Sequence, residues 1–175
     1  MPAGATYEPI ATTTVSGSSA ADITFSSISG SYTDLVVVMF LRSTRTGTGT
    51  TNVYFNFNAD TATNYSSTYI YGDGTTAASA RYTSQTVLTE MGEAARDGNA
   101  ANIFTYSKAH IFNYAGSTNK TVLSEISSDL NGSGYVMRNV GLWRSTAAIT
   151  SIKITTNAGN IAVGSSATLY GIKAA

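Results

Sequence analysis

Alternation with a period of two, repeated in short runs from one end of the chain to the other, constrains this fold more than any other feature. In "NVYFNFN" it sets Val53, Phe55 and Phe57 on one side and Asn52, Asn56 and Asn58 on the other. "ADITFSSI" does the same with Ile23 and Phe25 against Asp22, Thr24 and Ser26. Successive side chains of a strand point to opposite faces, so such runs predict half-buried β-strands. Gly, Ser, Asn and Asp clusters separate them, and further strands fit "NKTVLSEISS", "YVMRNVGLW" and "ITSIKITT". The pattern predicts an all-β fold, an antiparallel two-sheet sandwich of jelly-roll type, with residues 1–175 as one domain.

Two segments carry more apolar surface than one core face needs. Leu35 to Leu41 is apolar at every position, which predicts cover on both sides of that strand. In "NIFTYSKAHIFNY", Ile103, Ala109 and Ile111 share one face, and Phe104, Tyr106, Lys108, His110, Phe112 and Tyr114 share the other. The expected interface with another subunit or a capsid therefore comprises Val36, Val38, Phe40, Phe104, Tyr106, His110, Phe112 and Tyr114. At the other end of the chain, "SSATLYGIKAA" alternates to its last residues, as a strand inserted into a sheet does. One segment breaks the pattern: "TEMGEAARDGN", Thr89 to Asn99, reads as a charged loop with a helical turn stopped at Asp97-Gly98. "TRTGTGTTN" and "GDGTTAASA" read as long exposed loops.

Composition narrows the function classes. Only 11% of residues are charged, and ten basic residues balance ten acidic ones, which gives no general attraction to nucleic acid or an anionic membrane. With no cysteine, disulfides and thiolate chemistry are excluded. The N-terminal "MPAGATYEPIATTTV" lacks the features of a secretory signal, and no run approaches the ~18 apolar residues of a membrane span. Asn-x-Ser/Thr sequons at Asn64, Asn119 and Asn131 read as turns.

Chemistry-bearing residues are few. His110 is the one histidine, set within an alternating strand and without a Gly-x-Ser-x-Gly elbow anywhere in the chain, so it reads as a packed or interface histidine. Glu90 and Glu93 form a local carboxylate pair, read as solvated loop charges. Asn56, Asn58 and Asp60 offer oxygen ligands from one strand face, but hold one carboxylate where calcium favours several. Asp129 and Asn131 sit in an Asn-Gly turn sequence. "RTGTGTTN" has glycines but no P-loop lysine. No catalytic, metal or cofactor-binding residue is assigned. Eleven tyrosines on a polar, uncharged background favour binding over catalysis.

Three segments carry a family likeness: "YEPIATTTVSGSSAADITFSSISGSYTDLVVVMFLRS", "YFNFNADTATNYSSTYIYGDG" and "GSSATLYGIKAA". Together with "GLWRSTAAITSIKIT" they resemble jelly-roll virion surface proteins of tailed bacteriophages, of the marine and cyanobacterial type. That resemblance implies a virion location, no catalysis and no cofactor. It implies capsid decoration as a homotrimer, with the major capsid protein and other virion proteins as partners. The alternative it implies is a tail-fibre domain that binds host glycan, with Tyr and Asn side chains between Asn64 and Asp73 as contacts. A glycan-cleaving enzyme using Glu90, Glu93 or Glu125 is the third and weakest reading of the chain.

Overall fold

A computed structural model describes residues 6–173; the first five residues of the N-terminal reading and the last two alanines of the terminal strand reading lie outside them. Twelve strands follow one another with no helix among the described residues: β1 Tyr7–Thr14, β2 Asp22–Phe25, β3 Asp34–Leu41, β4 Thr50–Phe57, β5 Tyr65–Gly72, β6 Ala77–Gln85, β7 Leu88–Ala95, β8 Thr105–Phe112, β9 Lys120–Asp129, β10 Gly134–Trp143, β11 Ile152–Thr156 and β12 Ser166–Ile172. All pairings between these strands are antiparallel.

Strand order reveals the logic. The larger sheet runs β1-β12-β3-β8-β9-β10-β5-β6 and the smaller runs β2-β11-β4-β7. Four pairs are nested like one long folded hairpin: β1 with β12, β2 with β11, β3 with β8, and β4 with β7. Eight strands wound this way into two sheets make a jelly roll. Two hairpins, β5–β6 and β9–β10, are inserted into that framework, and both extend the larger sheet beyond β8. The larger sheet is consequently twice as wide as its partner.

Alternation in the framework strands faces as expected. Ile23, Phe25, Val53, Phe55 and Phe57 point inward into one apolar cluster with Leu35, Val37, Met39, Leu41, Ala167 and Leu169. At one end Phe57, Tyr65 and Trp143 pack as an aromatic trio, with Tyr65 stacked on Trp143 at 6.1 Å between centroids. Phe57 N donates to Tyr65 Oη at 3.1 Å, so the buried hydroxyl has its partner. β12 is hydrogen-bonded on both sides, to β1 and β3, which makes the terminal strand an interior one.

The segment from Thr89 to Asn99 departs from expectation. It holds no helical turn; Leu88–Ala95 is strand β7, buried along its whole length. Its carboxylates mimic a surface loop, but it forms the last strand of the smaller sheet and lies beneath the widened part of the larger one, packed under β8, β9, β10 and β5. Glycines allow this close approach: a Cβ at Gly141 would lie 2.8 Å from Leu88, and one at Gly92 would lie 3.0 Å from Met39. "GDGTTAASA" is also only partly loop, since Asp73 to Thr76 makes the turn and Ala77 already begins β6.

Phe57 has no solvent exposure. Replacing it with Ala should cost about 3–5 kcal/mol of unfolding free energy in chemical denaturation. A loss under about 1 kcal/mol would mean that its strand face points away from the core.

Candidate functional site

The outer face of the larger sheet, opposite the core, is the most distinctive surface of the molecule. β3 and β8 place Val36 beside His110, Val38 beside Lys108 and Phe40 beside Tyr106 across their shared register. Phe40 and Tyr106 meet with ring centroids 5.5 Å apart, and His110 stacks on Phe112 at 4.0 Å. Six of the eight expected interface residues thus share this face, although Val36 is buried there between its cross-strand neighbours Tyr170 and His110.

The other two lie elsewhere. Phe104 precedes β8 in a loop, and the tip of its ring reaches the backbone at Gly164. Tyr114 is fully buried in the core because the chain leaves β8 after Phe112 and Asn113 takes a left-handed conformation, φ 47°. That single residue reverses the side on which the following side chain lies. Tyr114 Oη then donates to Ser29 O and accepts from Tyr32 N.

Sequence reasoning missed the larger half of the face. Tyr7, Ile70, Leu123, Val136 and Val140 are exposed on it together with Phe40 and Phe112. In β10 the apolar positions Val136, Val140 and Leu142 face outward, while Met137, Asn139 and Gly141 face inward. The alternation is present, but both faces carry apolar residues, since Met137 and Trp143 are buried on the inner one. A charged row crosses the same surface: Glu125 accepts from Lys108 at 2.5 Å and from Arg138 at 3.1 Å. Lys108 foremost, and Arg138 with it, hold the Glu125 carboxyl below its ordinary value. His110 Nε2 lies 3.0 Å from Asp34 Oδ2, while Asn113 N donates to Asp34 Oδ1 at 2.7 Å. A groove of about 850 Å³ crosses β8, β9, β10, β5 and β6, lined by Ile70, Ser79, Tyr106, Glu125, Val136 and Arg138 among others.

Beneath this surface lies the acid pair. Leu88 pairs with Phe55 and Gly92 with Val53, so Thr89, Glu90 and Met91 bulge opposite Tyr54 alone, with Glu90 at φ 59°. Asn139 from β10 secures the bulge: its Nδ2 donates to Thr89 O at 3.1 Å and to Glu90 O at 2.8 Å. Glu90 accepts from Asn52 and Tyr82, and Glu93 faces Thr50, Tyr135 and Glu90. Both acids are almost wholly buried, at 4% and 2% exposure, so they are not the solvated loop charges their sequence suggests. Burial raises Glu90; burial and then the charge of Glu90 push Glu93 up to about 8.

The remaining oxygen-rich motifs are satisfied internally. Asp60 accepts from Asn64 Nδ2, from Trp143 Nε1 at 2.7 Å and from Ala62 N, which together hold its carboxyl low. Asn58 Oδ1 accepts from the backbone of Thr150 and Ser151, and Asn56 Nδ2 donates to Asp60 O. Asp129 caps the β9–β10 turn by accepting from Asn131 N at 2.9 Å. Among the described residues no three His, Asp or Glu side chains gather to hold a metal ion. Comparison with known proteins finds no matching family model, no matching curated protein and no matching solved structure.

The acid pair gives the fold a defined pH dependence. Between 4.5 and about 8, Glu93 keeps its proton in the folded chain while the unfolded chain has released it, so stability falls as pH rises through that window. Glu90 acts in the same direction. The acids held low, Asp60 and Glu125, lose their contribution only as pH falls through the carboxylate range, outside this window. Thermal unfolding should therefore show a higher Tm near about pH 5 than near about pH 8, with Glu93→Gln removing roughly 3–5 kcal/mol of that decline. A Tm in the wild type that is flat or rising over this range would refute the assignment.

Proposed function

We propose that the protein is a non-enzymatic structural component of a tailed-bacteriophage virion that docks on the capsid and reinforces it by burying the outer face of its larger sheet. One observation carries this reading. Of the eight large apolar side chains exposed among the described residues, seven lie on that face, and only Val163 does not. Scattered surface apolars need no explanation, whereas apolars gathered on one face mark a contact surface. The Lys108–Glu125–Arg138 row and the His110–Asp34 pair add charge features that fix register and exclude wrong partners without dominating affinity. The resemblance to virion surface proteins supplies the class of partner, the major capsid protein.

A second reading, a tail-appendage domain that grips host glycan, is favoured by the groove itself, where the Tyr106 ring borders the charged and hydroxyl groups of Glu125, Arg138 and Ser127. A flat aromatic beside planar hydrogen-bonding groups suits a sugar ring.

Immunogold microscopy of virions carrying the protein should place label over the head. Purified Val136→Asp should fold normally by circular dichroism but bind stripped shells at least about 10-fold more weakly, as burial of an unpaired charge requires. Label confined to the tail would replace this reading with the glycan-binding one, and shell binding unchanged by Val136→Asp would remove the outer face as the contact.

A further inference from the structure

We propose that β6 is a strand-pairing edge and that its partner is β6 of a second copy of this chain, joining two larger sheets across a two-fold axis. Four strands end the two sheets, and three of them are blunted. β1 contains Pro9 and a register break between Pro9 and Ala11. β2 has four residues. β7 is buried along its length and bulged at Glu90. β6 is broken only near its end, where its register with β5 shifts beyond Tyr82 and Ser84 takes φ 52°. It is nine residues long and mostly exposed, carries Arg81 as its only charge, contains no proline, and keeps unbroken register with β5 from Ala77 to Tyr82. No backbone hydrogen bond outside its pairing with β5 engages it among the described residues. Edge strands of this kind are templates for strand addition, which is why proteins that must stay apart blunt them.

The occupant follows from the chain's own edges and from side-chain complementarity. An edge-to-edge ring of three copies needs two different matching edges, and β1, the other end of this sheet, is broken. Self-pairing of β6 needs only one, and a two-fold axis normal to the sheet makes the two strands antiparallel. Inward and outward side chains must match across the junction, so the axis passes through a residue. Centring on Arg81 would set the two guanidinium groups opposite each other. Centring on Ala80 sets Arg81 against Ser79 and the large Tyr82 against the small Ala78. Tyr82 keeps its hydrogen bond to Glu90 in that arrangement, because it points to the inner face. The groove borders the same edge, with Ala77, Ala78 and Ser79 among its lining residues, so pairing sets the grooves of two copies side by side.

The pairing is independent of any virion role and is tested on the purified protein alone. Light scattering at high micromolar concentration should give twice the 18.2 kDa chain mass, and those backbone amides between Ala77 and Tyr82 that point away from β5 should exchange with deuterium more slowly than in a monomeric variant. Ala80→Lys sets two ammonium groups against each other on the axis, and Ala80→Glu two carboxylates. Each variant should be monomeric with unchanged circular dichroism, and an equimolar mixture should regain the double mass. A monomeric or trimeric wild type would overturn the proposal, as would variants that dimerise like the wild type or a mixture that fails to pair.

Discussion

The clamp that Asn139 places on the β7 bulge governs how the rest of the molecule is arranged. Two inserted hairpins widen the larger sheet to twice the breadth of the smaller, and their inner face must rest on something. It rests largely on β7, whose bulge turns carbonyls and carboxyls toward β10 where a regular strand would offer apolar side chains. A buried polar group is costly unless it is hydrogen-bonded. The overlying positions are accordingly polar or small: Asn139, Gly141, Ser67 and Tyr82 face Thr89, Glu90, Leu88 and Met91. Apolar residues of the hairpins, Ile70, Val136 and Val140 among them, are left on the outside. The exposed apolar face and the buried acid pair are two sides of one arrangement.

This explains what could and could not be read from the residues. Where a strand separates one core from solvent, period two identifies both the strand and its inward side, as with Phe55 and Phe57 in β4. β10 has the same period with apolar residues on both faces, so nothing local distinguishes its outward Val136 from an inward one. β7 fails differently. Glu90, Glu93 and Gly92 look like a loop because burial of carboxylates depends on partners distant in sequence, Asn52, Tyr82, Thr50 and Tyr135. Tyr114 was misplaced by one residue's backbone, since alternation extrapolates past the end of β8 and Asn113 does not continue it. The apolar outer face was consequently legible on β3 and β8 and invisible on β9, β10 and β5.

Without disulfides, the ends of the sandwich are held by polar ties that span distant loops. Arg42, at the end of β3, is nearly buried and donates to four carbonyls, of Asp97, Asn99, Ala100 and Ile103. A guanidinium presents its donors in a fixed fork, so this one side chain organises the whole β7–β8 connection. Asn99 in turn donates to Gly49 O and Arg96 O, binding the glycine-rich β3–β4 loop to the same cluster. At the opposite end Asp60 joins the β4–β5 loop to Trp143. These ties account for residues that, taken alone, resemble ligand or phosphate motifs: their oxygens and amides are already spent on the fold.

Unequal sheet widths have a final consequence for how such a molecule can associate. A jelly roll with matched sheets covers most of its apolar surface with itself and offers other molecules chiefly its loops. Here the inserted hairpins create a broad outer face and, at β6, a long edge with which no further strand pairs. Face and edge are held by different physics: burial of Ile70, Leu123, Val136 and Val140 is non-directional and tolerant of register, whereas strand pairing is directional and fixed by backbone geometry. The two surfaces meet along β5 and β6 but do not compete for the same atoms, because edge hydrogen bonds lie in the plane of the sheet and the face contacts stand perpendicular to it. One chain can therefore be paired at its edge while its outer face remains open to a different partner.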